Sequence, residues 1–295
     1  MANSNHSRLP DFLVIGGMKC ATTTLHQDLS KHPDIYCGQK ELNALVADSD
    51  EAVLEAYSWN YRQAPPKQLL GDVSTHYSML QEYPQASSVA SKLLGSDLRI
   101  IYIVREPIAR ALSHHQHMMN VINDAGMGPD VNLEIRKSSL PIDYSCYAQQ
   151  LQPWLDLYGK DRTHVVKFED YISNRQTVLN DVFAFLGVQA QDVAIDPEGA
   201  NRSHSRFTNR KVASKMWGTR AFQRLIKPCL PVFLKPMLRS LFMKKAQLTS
   251  IPPTDETIEF IYDGVKEDVQ KLQQVLGLDE PLWELEAVWE KQISR

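Results

Sequence analysis

Lys19, Cys20, Ala21, Thr22, Thr23 and Thr24 follow a hydrophobic run that ends in paired glycines, in the segment Phe12-Leu-Val-Ile-Gly-Gly-Met-Lys-Cys-Ala-Thr-Thr-Thr-Leu25. A buried strand, a tight loop and a helix N-terminus in that order bring backbone N–H groups, a lysine and hydroxyls around one dense anion. The chemistry this suits is the binding of a phosphate-bearing nucleotide. A surface turn with a solvated lysine is the plainer rival. The spacing excludes two familiar loops. A dinucleotide fingerprint needs G-x-G-x-x-G, and here only Gly16 and Gly17 are present. An NTP-binding loop closes on Gly-Lys-[Ser/Thr], whereas Lys19 precedes Cys20 and Ala21. The lysine therefore lies inside the turn rather than at the helix start.

A second constellation follows the apolar run Arg99-Ile-Ile-Tyr-Ile-Val104. Arg105 stands at the end of a buried-strand pattern, where an uncompensated guanidinium is costly. Pro107 suits the first position of a helix, which places Ser113 about two turns along it. The fixed donor fork of an arginine matches a phosphate dianion; an ion pair with Glu106 or Asp170 is the alternative. Arg110 either lines the same site or supports the loop through a salt bridge. His114, His115 and His117 raise the question of a metal. Only 114 and 117 share a face and no local carboxylate completes a set, so no metal site is expected.

Acid–base chemistry has two candidate groups. Lys40-Glu41 offers a carboxylate beside an ammonium, and a surface ion pair is its plain reading. Asp72 and His76, in Gly71-Asp-Val-Ser-Thr-His-Tyr77, form the other. A carboxylate acting as general base needs a pKa brought towards working pH, which burial promotes and a neighbouring lysine opposes. Asp72 has a structural alternative, capping the turn that follows.

These residues must be positioned by alternating strands and helices. The patterns predict strands at 12–16, 34–37, 69–74, 99–104 and 163–168. Helices are predicted over 23–30, 50–61, 83–94, 107–119, 144–158, 176–186 and 255–276, with Gly187 and Gly277 closing the last two. Residues 120–140 read as a long connection acting as a flap. Strands separated by helices imply an α/β fold, a P-loop-like three-layer α/β/α arrangement with a central parallel sheet and ligands at the strands' carboxyl ends. At 295 residues the chain suits one large core, here taken as a single domain over 10–295.

Composition narrows the classes further. Four cysteines, Cys20, Cys37, Cys146 and Cys229, lie far apart without a CxxC pair. That gives no disulfide framework and suits a reducing compartment. No run approaches the roughly 18 apolar residues of a membrane span, and Met1–Pro10 has no apolar h-region, so a cytoplasmic protein is expected. Between Arg202 and Lys245 stand 12 Lys or Arg and no Asp or Glu. That basic block within 201–250 reads as a lid or acceptor-pocket subregion, with peripheral contact to anionic membrane through 206–245 as an alternative. No nucleic-acid module accompanies it.

With both constellations in view, the chain resembles the sulfotransferases that use 3′-phosphoadenosine-5′-phosphosulfate (PAPS). Gly17-Met-Lys-Cys-Ala-Thr-Thr-Thr-Leu25 is similar to their K-x-G-T-T-[S/T/A]-L loop, and Ile101-Tyr-Ile-Val-Arg-Glu-Pro-Ile-Ala-Arg-Ala-Leu-Ser113 to their R-x-P-x-x-R-x-x-S segment. Lys40-Glu41, Phe168-Glu-Asp-Tyr171 and Leu276-Gly-Leu-Asp-Glu-Pro-Leu-Trp283 add to the likeness, which points to the bacterial and glycan-modifying branches. The resemblance implies a sulfotransferase-type fold and transfer of a sulfuryl group from PAPS to a hydroxyl or amine of a small-molecule, natural-product or glycan acceptor, with no metal required. It implies that Gly17, Lys19, Cys20, Ala21 and Thr22–Thr24 cradle the 5′-phosphosulfate, that Arg105 and Ser113 hold the 3′-phosphate, and that Arg206, if not part of a solvated turn, closes over a nucleotide phosphate. Lys19 would also stabilise the departing phosphate, with Glu41 the first candidate base. Ala21 departs from the family glycine, and a right-handed conformation is expected there. An ATP-dependent kinase and a non-catalytic anionic-membrane protein are the competing readings.

Overall fold

Alternate residues of one strand enter two different cores, and this makes the molecule three layers deep. In β1 (Phe12–Gly16) and β4 (Arg99–Val104), Phe12, Val14, Ile101 and Ile103 face one side, while Leu13, Ile15, Ile100, Tyr102 and Val104 face the other. Both faces are apolar because both are covered, which is why these strands read as unbroken hydrophobic runs. The computed structural model describes residues 8–121, 128–193, 207–209, 243–245 and 250–293.

The central sheet has five strands in the order β2-β3-β1-β4-β5, where β2 is Ile35–Cys37, β3 is Leu69–Val73 and β5 is Thr163–Lys167. Every pairing in it is parallel. Against the first face lie α1 (Thr22–Leu29) and a later helix, Arg175–Leu186, through Leu25, Leu29, Leu179 and Phe183. Against the second lie α2 (Asp50–Tyr61), α3 (Ala86–Leu94), the helix Tyr147–Tyr158 and the long helix Asp255–Leu276, through Tyr57, Ala90, Trp154 and Ile261. The remaining helices are α4 (Pro107–Val121), α5 (Val131–Lys137), α6 (Leu140–Asp143) and α8 (Phe168–Ser173), which makes Tyr147–Tyr158 α7, Arg175–Leu186 α9 and Asp255–Leu276 α10; α11 is Leu285–Ile293. Phe207–Asn209 and Met243–Lys245 pair antiparallel. The rest of the basic block, including Arg206 and Cys229, lies outside the described residues.

Most boundaries follow the sequence patterns to within two residues; two helix starts and the 120–140 connection differ by more, and α8 and α11 have no counterpart among the expected helices. The helix expected from Tyr83 starts at Ala86, and that expected from Tyr144 starts at Tyr147 after the single turn of α6. The connection expected over 120–140 contains α5, whose first turn is capped by Asp130 accepting from Asn132 N. Its short amphipathic stretch lies too close to Gly128 and Pro129 to register as a periodic segment.

The sheet has one close contact that fixes composition. Phe12 on β1 stands opposite Gly71 on β3, and a Cβ at Gly71 would lie 2.2 Å from the Phe12 ring. Gly71→Ala is therefore expected to destabilise the protein by about 1–3 kcal/mol in urea unfolding. Adding Phe12→Leu should recover part of the loss, since the two changes share one space. Additive losses would show that the contact is not the cause.

Candidate functional site

Parallel pairing of β1 with β4 releases two loops side by side at one edge of the sheet. Gly16 stands opposite Tyr102, and Gly17 N–H donates to Ile103 O at 2.6 Å. The chain passes so close to Ser78 that a Cβ at Gly16 would lie 2.2 Å from its Oγ; the first glycine is needed for clearance. The loop then turns through two left-handed residues, Lys19 at φ 72° and Ala21 at φ 64°. This corrects the right-handed conformation expected of Ala21. Left-handed residues recur in anion-binding loops, and the tertiary structure imposes that conformation here at roughly 1–2 kcal/mol per non-glycine residue.

Ala21 O opens α1 by accepting from Thr24 N at 2.9 Å and Leu25 N at 3.0 Å. No side chain caps the helix, so its first N–H groups are left for an anion. Thr22 and Thr24 are buried and Thr23 is exposed. Cys20 is fully buried, its Sγ 3.7 Å from Met18 O and 3.9 Å from Tyr147 OH. Burial pushes its thiol up to about 11 despite Arg110 and Tyr147, which makes it a packing residue of the loop rather than a nucleophile.

The second loop brings Arg105 to the first. Its Nη1 donates to Lys19 O at 3.4 Å, and its guanidinium lies 4.8 Å over the Phe168 ring. The ion pair with Glu106 or Asp170 does not form. Glu106 instead caps α4, accepting from Ile108 N at 2.7 Å and Ala109 N at 2.8 Å. A cleft of about 400 Å³ opens beside Arg105, lined also by Ala109, Ser113, Val131 and Ile251. Arg105 and Ser113 thus face one space, and Arg105 also touches the lysine loop.

Arg110 is fully buried and forms no salt bridge, so the second of its two readings is not met. Its Nε donates to Ser145 Oγ at 2.7 Å, its Nη2 to Pro141 O, and its Nη1 to His114 Nδ1 at 3.4 Å. Burial lowers its pKa. Burial, with Arg110 next in effect, pulls His114 down to about 3, so that imidazole is neutral. His115 Nε2 lies 3.1 Å from Gly128 O. Among the described residues no three potential ligands gather into a metal site.

Glu41, at φ 55°, lies at the carboxyl end of β3 and accepts from Thr75 N at 2.9 Å and Thr75 Oγ1 at 3.2 Å. Lys40 Nζ donates to its Oε1, and His76 Nδ1 stands 3.8 Å from Oε2, beyond hydrogen-bond distance. Burial works to raise this carboxyl, but His76, Lys40 and Thr75 together outweigh it and hold it at about 2. Asp72 lies beneath the site rather than in it. It is 1% exposed and takes Tyr57 OH at 3.0 Å, Tyr77 OH at 2.6 Å and Ser74 Oγ at 2.7 Å. Burial raises its pKa, yet the three hydroxyls occupy it and no face is presented to an acceptor.

Three residues without a role in the sequence reading complete the site. Tyr147 holds Arg105 by its backbone, Glu169 accepts from Glu106 N at 2.9 Å, and Trp283 Nε1 donates to the other Glu169 oxygen at 3.0 Å. Glu169 and Trp283 fall in segments that resemble the PAPS enzymes, and that resemblance was their one signal. Tyr147 has none, being an aromatic on a core helix.

Residues 9–223 match the sulfotransferase domain family, and the chain belongs to it. Heparan sulfate glucosamine 3-O-sulfotransferase 3B1 of Mus musculus is 26% identical over 198 residues, covering 64% of this chain and 48% of that protein. Heparan sulfate glucosamine 3-O-sulfotransferase 5 of the same species is 23% identical over 194 residues, 61% of this chain and 54% of that one. The chain spans about half the length of these relatives. A sulfotransferase from Alicyclobacillus acidocaldarius superposes with a TM-score of 0.63 at 20% identity, over 96% of this chain and 99% of that one, and shares the fold. Among the described residues no helix is long and apolar enough to cross a membrane.

The Glu41 contacts have a pH signature. A carboxyl held at about 2, against an ordinary 4.5, stabilises the fold above the ordinary value and ceases to as pH falls through the folded one. Comparing wild type with Glu41→Gln in denaturant titrations, the stability gap should be full at neutral pH and narrow between about 4.5 and 2. A gap constant with pH would mean that the carboxylate is not held by charge.

Proposed function

We propose that this chain transfers the sulfuryl group of PAPS to an acceptor hydroxyl or amine. The observation that supports this most directly is Arg105 Nη1 at 3.4 Å from Lys19 O, beside a cleft that also reaches Ser113. Two cationic loops meeting at the ends of neighbouring strands suit a ligand with phosphorylated groups at both ends. The glycan-modifying relatives and the half-buried Lys40-Glu41 pair favour a hydroxyl-bearing small molecule or glycan as acceptor. Arg206 and the rest of the basic block are the residues we assign to covering the bound donor, within a single domain.

In this reading the lysine loop, through its N–H groups and Thr22–Thr24, grips the 5′-phosphosulfate, and Arg105 with Ser113 grips the 3′-phosphate. The acceptor atom bonds to sulfur as the bond from sulfur to the bridging phosphate oxygen breaks. Negative charge grows on that oxygen, and Lys19 neutralises it in place without solvent reorganisation. The acceptor's proton goes to Glu41. A carboxylate held at about 2 is a weak base, so Lys40 must release it; turning the Lys40 ammonium to a sulfonate oxygen would remove one of the charges that depress it. Holding both reactants in line supplies the rest of the acceleration.

Lys19→Ala should cost about 10²–10³-fold in transfer rate, the loss typical of one developing-charge donor, while binding of adenosine 3′,5′-bisphosphate falls far less. Arg105→Ala should instead weaken that binding by roughly 1.5–3 kcal/mol, the contribution of a charged hydrogen bond. Calorimetry with the bisphosphate and a labelled-PAPS acceptor assay separate the two effects. Transfer retained in both variants would overturn the reading.

A further inference from the structure

Arg105 is the first residue beyond β4, so the sheet no longer holds its peptide groups, yet it has to carry a guanidinium to a fixed point. Val104 pairs with Lys167 and ends the ladder. One residue later, a single hydroxyl takes over. Tyr147 OH accepts from Arg105 N at 3.2 Å and donates to Arg105 O at 2.7 Å. It thereby serves both backbone groups of one residue, as a neighbouring strand would. Tyr147 is fully buried, wedged between the rings of Tyr102 at 5.8 Å and Trp283 at 5.8 Å. Its position is set again at the start of α7, where Asp268 of α10 accepts from Ala148 N at 2.8 Å and Gln149 N at 2.9 Å.

The next peptide is fixed from the other side. Glu169 accepts from Glu106 N, and Trp283, which also packs on Tyr147, holds Glu169. Glu106 precedes Pro107 and is confined to extended backbone for that reason. The turn from β4 into α4 is therefore clamped at consecutive residues, and the Tyr147 clamp acts on the one that bears the phosphate-binding side chain. The lysine loop depends on it much less. That loop is held by Gly17 N to Ile103 O and Cys20 N to Gly17 O, and its contact with Tyr147 is the weak 3.9 Å approach of Cys20 Sγ.

We propose that Tyr147 is the positioning residue for the 3′-phosphate: its hydroxyl presets the Arg105 peptide so that the guanidinium meets that phosphate without rearrangement. Removing the hydroxyl leaves two part-buried backbone groups without this partner. The peptide then shifts to find other partners, and the side chain loses its aim while the 5′ cradle stays intact. The proposal rests on the PAPS reading above but makes a narrower claim, that the effect of Tyr147 is confined to one end of the donor.

The test compares two nucleotides that differ only at that end, adenosine 3′,5′-bisphosphate and adenosine 5′-phosphate, by calorimetry or competition on wild type and Tyr147→Phe. Wild type should favour the bisphosphate. In Tyr147→Phe that preference should shrink about tenfold, the scale of one or two lost hydrogen bonds, with affinity for the monophosphate unchanged within about twofold. A general structural role would weaken both nucleotides together, and that result, or an unchanged preference, overturns the proposal. Wild type showing no preference for the bisphosphate would instead remove the PAPS reading beneath it. If Tyr147→Phe does not fold, the wild type answers. The Arg105 amide should exchange slowly before any nucleotide is added, and fast exchange in the free protein would overturn the proposal.

Discussion

The pairing of β1 with β4 is the constraint on which the site depends. These strands are adjacent in the sheet but separated in sequence by two further strands. They run parallel, with a one-residue shift of register between Val14 and Gly16 that brings Gly16 opposite Tyr102, and their loops leave at the same edge. The bond from Gly17 N to Ile103 O continues the pairing one residue into the lysine loop. Neither loop could hold a two-ended anion alone. The apolar residues on both faces of these strands, sunk in two separate cores, keep the pairing from slipping: a one-residue shift would reverse which side chains enter each core.

Around this edge the carboxylates are spent on the protein itself. Glu106 caps α4, Glu169 joins Glu106 N to Trp283, and Asp72 gathers three hydroxyls. Arg110 is satisfied by Ser145, Pro141 and His114, all neutral acceptors. Arg105 and Arg110 therefore keep most of their field. An exception is Lys40 on Glu41, the one place in the site where acid–base chemistry is proposed. A protein that neutralised Arg105 with Glu106 would gain an ion pair and lose its electrostatic pull on the ligand.

Much of this was legible in the sequence because it is local. Continuous apolar runs ending in Gly16 and Arg105 marked the two central strands, and Pro107, Gly187 and Gly277 marked helix ends. The sign of φ at Ala21 was not legible, since residue type sets only a preference and the surrounding loop decided the outcome. Tyr147 and Asp268 were hidden for another reason. Their partners lie 42 residues away from Tyr147 and 120 from Asp268, and nothing in their own neighbourhoods distinguishes them from ordinary core and surface positions. Asp72 misled because a strand-ending aspartate looks alike in sequence whether it points out to a substrate or inward to tyrosines.

The strained residues of the described chain all sit at this edge. Lys19, Ala21, Glu41 and Asn43 are its non-glycine residues with positive φ, which costs roughly 1–2 kcal/mol at each of the first three and less at the asparagine. Such strain persists only where surrounding contacts over-determine the backbone, and here those contacts can be traced. Glu41 N–H donates to Val73 O at 2.9 Å and Asn43 N–H to Ser74 Oγ at 3.1 Å. Ser74 Oγ is itself held by Asp72, and Tyr77 OH, also on Asp72, accepts from Leu45 N at 3.4 Å. The buried carboxylate thus acts through a hydroxyl and a tyrosine to staple the Lys40–Leu45 loop onto the end of β3. Its burial is the reason Glu41 can be presented in a conformation that its own residue type disfavours, so the aspartate serves the site by supporting it from below.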